Sequence, residues 1–346
     1  MIILKITLII ISSFIGVLLL SLMGIVLLPF NHVKKIDMKS KESMNPEDNP
    51  RQKQKVFLDI EGDKIDIDLF LPEDRTGPLS CIIMSNGFGG TKGKVLDKYA
   101  KRYLEAGYAT LLYDFRNFGL SEGEPRQHFS VEKQLEDLKA VIAYARSLDA
   151  IDSDKICLWG TSGSGGYGMI IASEDKRIAC TIGQCPALDK DEDGKLMYDR
   201  EGLFFLLRLF VHAIRDKRRT KLGLSPHRIP IVGRKGDLAI HRAEGAFEGY
   251  EALISPTFKN EICARMLLEN KSNNPIDFAD QVDCPVQLLI CENDILVSEI
   301  SYKNTAAILG DLATVKTYPC DHFQIYQDEY FEICINDQLV FLEKNL

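Results

Sequence analysis

Three residues spread widely along the chain, Ser162, Asp294 and His322, are of the types that together cleave an acyl bond. A serine hydroxyl is a weak nucleophile at neutral pH. It needs an imidazole to take its proton and a carboxylate to orient that imidazole. Ser162 lies in the stretch 155–168, Lys-Ile-Cys-Leu-Trp-Gly-Thr-Ser-Gly-Ser-Gly-Gly-Tyr-Gly. An apolar strand runs there into a glycine-rich turn, and a helix follows. That is the setting of a nucleophile elbow, G-x-S-x-G, whose turn presses the serine backbone into a sparsely populated conformation and so needs small neighbours. Gly160 takes the first small position and Ser164 replaces the second glycine, so the motif reads G-x-S-x-S. Asp294 follows the predicted strand 286–291 by three residues, and His322 follows the predicted strand 313–318. Both fall in turns after late strands, on the rim where Ser162 falls. Glu292, closer to its strand, is the second candidate for the acid. His32, His128, His212, His227 and His241 lack this placement.

A carbonyl under attack becomes an oxyanion and needs donors. One candidate is the backbone N–H of Gly163, the residue after the nucleophile. The other is the N–H of Phe88, in the loop Asn86-Gly87-Phe88-Gly89-Gly90-Thr91-Lys92-Gly93. The stretch 163–168 also spells G-x-G-x-x-G. A dinucleotide site would need an acidic residue at the end of the next strand, and the strand 179–184 has none. A P-loop is excluded because no Gly-Lys-Ser/Thr follows the glycines.

The elements that must position these residues alternate along the chain. Segments 56–60 and 64–71 flank Glu61-Gly62-Asp63 and predict a hairpin at a sheet edge. Ile65, Ile67 and Leu69 alternate there with Asp66 and Asp68, which predicts one wet face. Then come strand 81–84, helix 95–106, strand 109–115, helix 131–148 and the elbow strand 155–159. Such alternation predicts a mostly parallel sheet covered on both faces, with functional loops at the carboxyl ends of its strands. After Pro186 the rhythm breaks for about a hundred residues, more than an ordinary connection. Helices predicted at 202–219, 245–253 and 260–268 make this a helical cap insertion, about 187–282. Helix 202–219 is expected to pack its apolar stripe on the domain, although its basic end also suits an anionic lipid surface. Strand 286–291, helix 299–309, strand 313–318 and helix 327–346 complete the domain, which spans 54–346.

The first thirty residues differ in kind. Residues 6–30 carry no charge, long enough for a transmembrane helix, and a polar linker is expected over 31–53. Lys34, Lys35, Lys39 and Lys41 follow the run and only Lys5 precedes it, which predicts a single-pass membrane anchor with a cytoplasmic catalytic domain. Secretion after signal cleavage is the alternative. The net charge of -8 argues against a nucleic-acid partner. Nine scattered cysteines, four of them in apolar strands, predict buried free thiols in a reducing compartment.

Together these residues resemble the α/β-hydrolase superfamily and, within it, the serine-aminopeptidase-like and polyketide-transferase-like proteins. The resemblance runs from about residue 56 to the C-terminus. It rests on Asn86-Gly87-Phe88-Gly89, on the stretch 114–123 (Asp-Phe-Arg-Asn-Phe-Gly-Leu-Ser-Glu-Gly), on the stretch 158–166 around Ser162, on Val232-Gly233-Arg234 and on His322-Phe323-Gln324-Ile325-Tyr326. Such relatives usually carry an aromatic residue where Gly163 stands, so a wider pocket is expected here. The resemblance implies a serine hydrolase acting on an ester or thioester of a small or lipid-like acyl group, with no metal and no cofactor. An acyltransferase or peptidase using the same triad, or a non-catalytic binding protein on the same fold, are the alternatives.

Overall fold

The structure, a computed structural model, describes residues 2–27, 33–38, 53–74, 76–269 and 273–346. Helix α1 (Ile2–Leu27) precedes an antiparallel hairpin of β1 (Lys53–Ile60) and β2 (Asp63–Phe70). Then follow β3 (Leu79–Ser85), α2 (Val95–Glu105), β4 (Ala109–Tyr113), α3 (Val131–Arg146), β5 (Ile151–Thr161), α4 (Tyr167–Glu174) and β6 (Cys180–Gln184). Between β6 and the next long strand lie α5 (Lys190–Glu201), α6 (Leu203–Lys221), β7 (Arg228–Ile229), α7 (Ala246–Leu253), β8 (Ile262–Cys263) and α8 (Met266–Glu269). The chain closes with β9 (Val286–Cys291), α9 (Glu299–Leu309), β10 (Ala313–Tyr318) and α10 (Asp328–Asn345).

Eight strands form one sheet in the order β1-β2-β4-β3-β5-β6-β9-β10. The β1–β2 and β2–β4 pairs are antiparallel, and β4, β3, β5, β6, β9 and β10 run parallel. A strand's two-residue period sends alternate side chains to opposite faces. Ile156 and Leu158 of β5 therefore join one core, with α3 and α4, while Cys157 and Trp159 join the other, with α2 and α10. Continuous apolar strands such as β5 and β9 are what a sheet covered on both faces requires. All nine cysteines are buried and free.

A buried polar hub ties α10 to the sheet. Trp159 Nε1 donates to Gln338 Oε1 at 2.8 Å, Tyr103 Oη bonds the same oxygen, and Gln338 Nε2 donates to Gln184 Oε1 at 3.1 Å.

The membrane anchor expected over residues 6–30, and with it the cytoplasmic placement, does not stand. Among the described residues no helix is long and apolar enough to cross a membrane. Lack of charge is only one requirement, since a span also needs about 20 consecutive apolar residues. Within α1, Lys5, Thr7, Ser12, Ser13 and Ser21 interrupt the apolar run. The helix lies beside α6. Of the expected linker, residues 33–38 pack on the insertion: Ile36 and Met38 meet Val232, Phe247 and Phe323, and Asn260 Nδ2 donates to Ile36 O at 3.1 Å. Residues 39–52, with the breaks at Pro46 and Pro50, lie outside the described residues.

Two further differences have physical causes. The helix predicted over 260–268 is instead β8 followed by the one-turn α8, because Ile262 and Cys263 pair with Ile229 and Arg228. The wet face predicted for β2 is dry. Asp66 and Asp68 are 0% and 1% exposed, neutralised by Lys53 and Lys55 from β1 and by Lys92.

Gln338→Leu leaves the Trp159 N–H and the Tyr103 hydroxyl without their shared acceptor. Each orphaned buried group costs about 1–3 kcal/mol. Chemical denaturation is expected to show a loss of about 3 kcal/mol, with Gln338→Glu less damaging because it keeps an acceptor.

Candidate active site

Ser162 stands at the carboxyl end of β5 with φ of 51°, the left-handed region that a serine adopts only when its surroundings enforce it. A single 3-10 turn (Ser162–Ser164) leads into α4. The turn is so tight that a Cβ on Gly160 would stand 2.3 Å from Ser164 O. Ser164 explains the departure from the usual motif. Its hydroxyl donates to Ser85 O at 3.0 Å and lies 3.2 Å from the Thr161 N–H, which it can accept, so it ties the elbow to β3 where a glycine could not.

His322 follows β10 and lies 2% exposed. Its Nε2 is 2.9 Å from Ser162 Oγ, and its Nδ1 is 2.7 Å from Asp294 Oδ2. With Nδ1 donating to the carboxylate, Nε2 is left to accept the serine proton. Asp294 is fixed in turn. Its Oδ1 accepts from Leu296 N at 2.8 Å and Val297 N at 2.9 Å, and its Oδ2 also accepts from the Tyr302 hydroxyl at 3.1 Å. The second acid candidate, Glu292, is exposed and is not brought to the imidazole. Of the other histidines, His128 meets Glu269, and His212 and His227 bond each other at 2.7 Å inside the insertion. His241 stacks on Tyr250 beside Phe88, and His32 lies outside the described residues.

Burial opposes charge on both members of the acid–imidazole pair, and their mutual attraction overrides it. Asp294 is held below the ordinary carboxylate range by His322 and the two backbone N–H groups. His322 is held well above the ordinary imidazole value, chiefly by the Asp294 carboxylate.

The loop carrying Phe88 closes on the elbow. A Cβ on Gly87 would stand 3.1 Å from Ser162 Cβ. A Cβ on Gly163 would stand 3.2 Å from Phe88 N and 3.3 Å from Phe88 Cβ. The glycine thus admits the loop rather than widening the pocket, contrary to the expectation from the usual aromatic residue. Phe88 N thus lies close to Gly163, next to Ser162 in the chain. Tyr250, from α7, donates its hydroxyl to Phe88 O at 3.3 Å.

Ser162 and His322 line an open cleft. Val95, Leu96, Leu253, Ile254 and Phe258 supply apolar walls, while Thr91 and Ser255 supply hydroxyls. Sequence reasoning missed Tyr302, Tyr250 and Asp193. Tyr302 lies eight residues past Asp294, on the helix that leaves the acid's turn, and that spacing was a usable signal. Tyr250 had none. Asp193, in the first turn of α5, accepts from Ser298 N at 2.8 Å, and burial raises its pKa to about 7. Among the described residues no group of three His, Cys, Asp or Glu side chains is arranged to hold a metal ion.

A serine at a strained strand-to-helix turn, with imidazole and carboxylate reaching it from the turns after the last two strands of a mostly parallel sheet, defines the α/β-hydrolase class. Comparison with known proteins agrees. Residues 61–213 match the family model described as X-Pro dipeptidyl-peptidase (S15 family). The chain is similar to quorum-quenching protein AidA of Acinetobacter baumannii, 34% identical over 294 residues that cover 83% of this chain and 94% of that protein. A shorter match, 38% identical over 133 residues, covers 38% of this chain and 41% of thiohydrolase aneE of Aspergillus aculeatus. The crystal structure of the α/β hydrolase GrgF from Penicillium shares the fold with a TM-score of 0.71 at 24% identity, over 85% of this chain and 98% of that one. The chain belongs to the α/β-hydrolase superfamily and is an enzyme of that class.

A raised His322 pKa has a defined sign. The stability it contributes is complete below the unfolded value of about 6.5 and is lost as pH rises through the folded value. NMR titration is expected to place the imidazole's midpoint above 6.5 in the wild type. In Asp294→Asn, where burial keeps its effect and the largest opposing charge is gone, the midpoint falls below the wild-type value.

Proposed function

We propose that the enzyme cleaves carboxylic esters or thioesters by a double displacement on Ser162. The hydrogen-bonded chain Ser162–His322–Asp294, closed at both joints, is the observation that carries this reading. His322 Nε2 takes the hydroxyl proton as Ser162 Oγ attacks the carbonyl carbon. Asp294 stabilises the imidazolium that forms. The negative oxygen of the tetrahedral intermediate is received by the N–H groups of Phe88 and Gly163. His322 returns the proton to the departing alcohol or thiol, leaving an acyl-serine. Water, deprotonated by the same nitrogen, then releases the acid and restores Ser162.

The apolar walls of the cleft suit an acyl chain in the bound half of the substrate. The thiohydrolase relative supports thioesters as one leaving-group class. A second reading, transfer of the acyl group to an alcohol in place of water, is favoured by a relative named polyketide transferase grgF, 27% identical over 227 residues. The S15 match keeps amide substrates as a third class.

Wild-type protein is expected to label with a fluorophosphonate, and Ser162→Ala to lose both the label and at least ~10³ of kcat on p-nitrophenyl and thioester substrates. Retention of labelling in that variant sinks the mechanism. Product analysis with added alcohols separates free acid from new ester. His322→Ala is expected to cost about as much as Ser162→Ala, and the double variant little more, because the two act as one unit.

A further inference from the structure

The loop that presents Phe88 is poor at holding its own shape. Gly87, Gly89, Gly90 and Gly93 make up half of residues 86–93, and Lys92 is the loop's sole charged side chain. An oxyanion donor works only if it is already aimed, so something outside the loop must fix it.

Lys92 is fixed twice. Its backbone N–H donates to Asp114 Oδ1 at 2.7 Å. Its Nζ reaches Asp68 Oδ2 at 2.8 Å and Asp66 Oδ1 at 3.0 Å, and the residue is 6% exposed. Asp114 is itself locked at the end of β4, accepting from Leu120 N at 2.9 Å. Burial of an aliphatic stem with a charged head is costly unless the charge is paired. Here two carboxylates of β2 pair with it, although Lys53 and Lys55 already supply two cations to them from β1. What Lys92 adds beyond charge is a link. It alone of the three lysines belongs to the segment beside Ser162.

We infer that Lys92, clamped by Asp66, Asp68 and Asp114, is a positioning residue that holds the Phe88 loop in its anion-receiving conformation. The inference rests on the hydrolase reading for its catalytic consequence, but not for the loop's order. The edge hairpin thereby acts on the site without touching substrate. Asp97, also buried beside this group, is pushed up in pKa by burial and by Asp68 against the pull of the lysines, and completes the acidic surround.

The test compares Lys92→Met, Lys92→Arg, Asp68→Asn and Lys55→Met in the full chain. Hydrogen exchange of peptides covering residues 86–94 is expected to quicken at least tenfold in Lys92→Met and in Asp68→Asn, and to return toward wild type in Lys92→Arg. Turnover per fluorophosphonate-titrated site is expected to fall about 30-fold in Lys92→Met with KM changed less than threefold, because the loop serves the transition state more than the ground state. Lys55→Met removes a cation from the same carboxylates without touching the loop. It is expected to lower the thermal midpoint while changing kcat less than twofold. Unchanged exchange in both Lys92→Met and Asp68→Asn overturns the inference, as does an equal kcat loss in Lys55→Met. If Lys92→Met does not fold, Asp68→Asn carries the same comparison. If the wild type neither labels nor turns over any ester, the hydrolase reading fails, and exchange still decides the loop's anchor.

Discussion

A buried imidazole held between a hydroxyl and a carboxylate is the constraint on which the rest of this structure depends. His322 has almost no contact with solvent, so each ring nitrogen must find its partner within the protein. Those partners come from β5 and from the turn after β9, 160 and 28 residues away along the chain. Here a run of parallel strands that end at one edge of the sheet brings them within 3 Å. The two apolar cores on either face of that sheet keep those ends in register.

The same logic extends to the parts around the imidazole. Asp294 accepts from two backbone N–H groups and a tyrosine, so its carboxylate is aimed before any substrate arrives. Ser162 is held in a strained backbone conformation by a turn with no room for side chains at Gly160. Strain at the nucleophile is tolerated because the carboxyl end of β5 is paired on both sides, Gly160 with Ser85 of β3 and Thr161 with Gln184 of β6. The loop opposite is half glycine, with a turn closed by Gly90 N donating to Gly87 O at 3.0 Å. It borrows rigidity from carboxylates on the outer hairpin and from Tyr250 on α7.

Local pattern was legible where burial on both faces left one option. Strand Val286–Cys291, buried throughout, has the bounds its apolar run predicts, and helix Glu299–Leu309 and the exposed edge strand Ala313–Tyr318 have the bounds expected from the strand–helix rhythm. The insertion was legible as an interruption, and α6 and α7 by their apolar spacing. Helix α5 was not, because an acidic helix with no fully buried residue carries no continuous apolar stripe to detect. Residues 260–268 misled for another reason. Their spacing suits a helix, but Asn260 bonds Val232 through both its oxygen and its nitrogen, and that draws the next residues into pairing with β7.

Taken alone, the sequence determined the order of strands and helices outside the insertion, the identity of a serine in a turn too tight for side chains, and the candidates for its acid and base. Each of these depends on neighbours within a few residues, or on the rule that late strand ends share a rim. Tertiary structure decided what depends on distant partners. It chose Asp294 over Glu292 by the direction of one turn. It buried Asp66 and Asp68 by supplying lysines from β1 and from the loop beside Ser162. It made Gly163 a point of close approach rather than an opening. It left no helix among the described residues fit to cross a membrane. Charge pairing and close packing are sums over atoms remote in the chain, and no local pattern of residue types contains them.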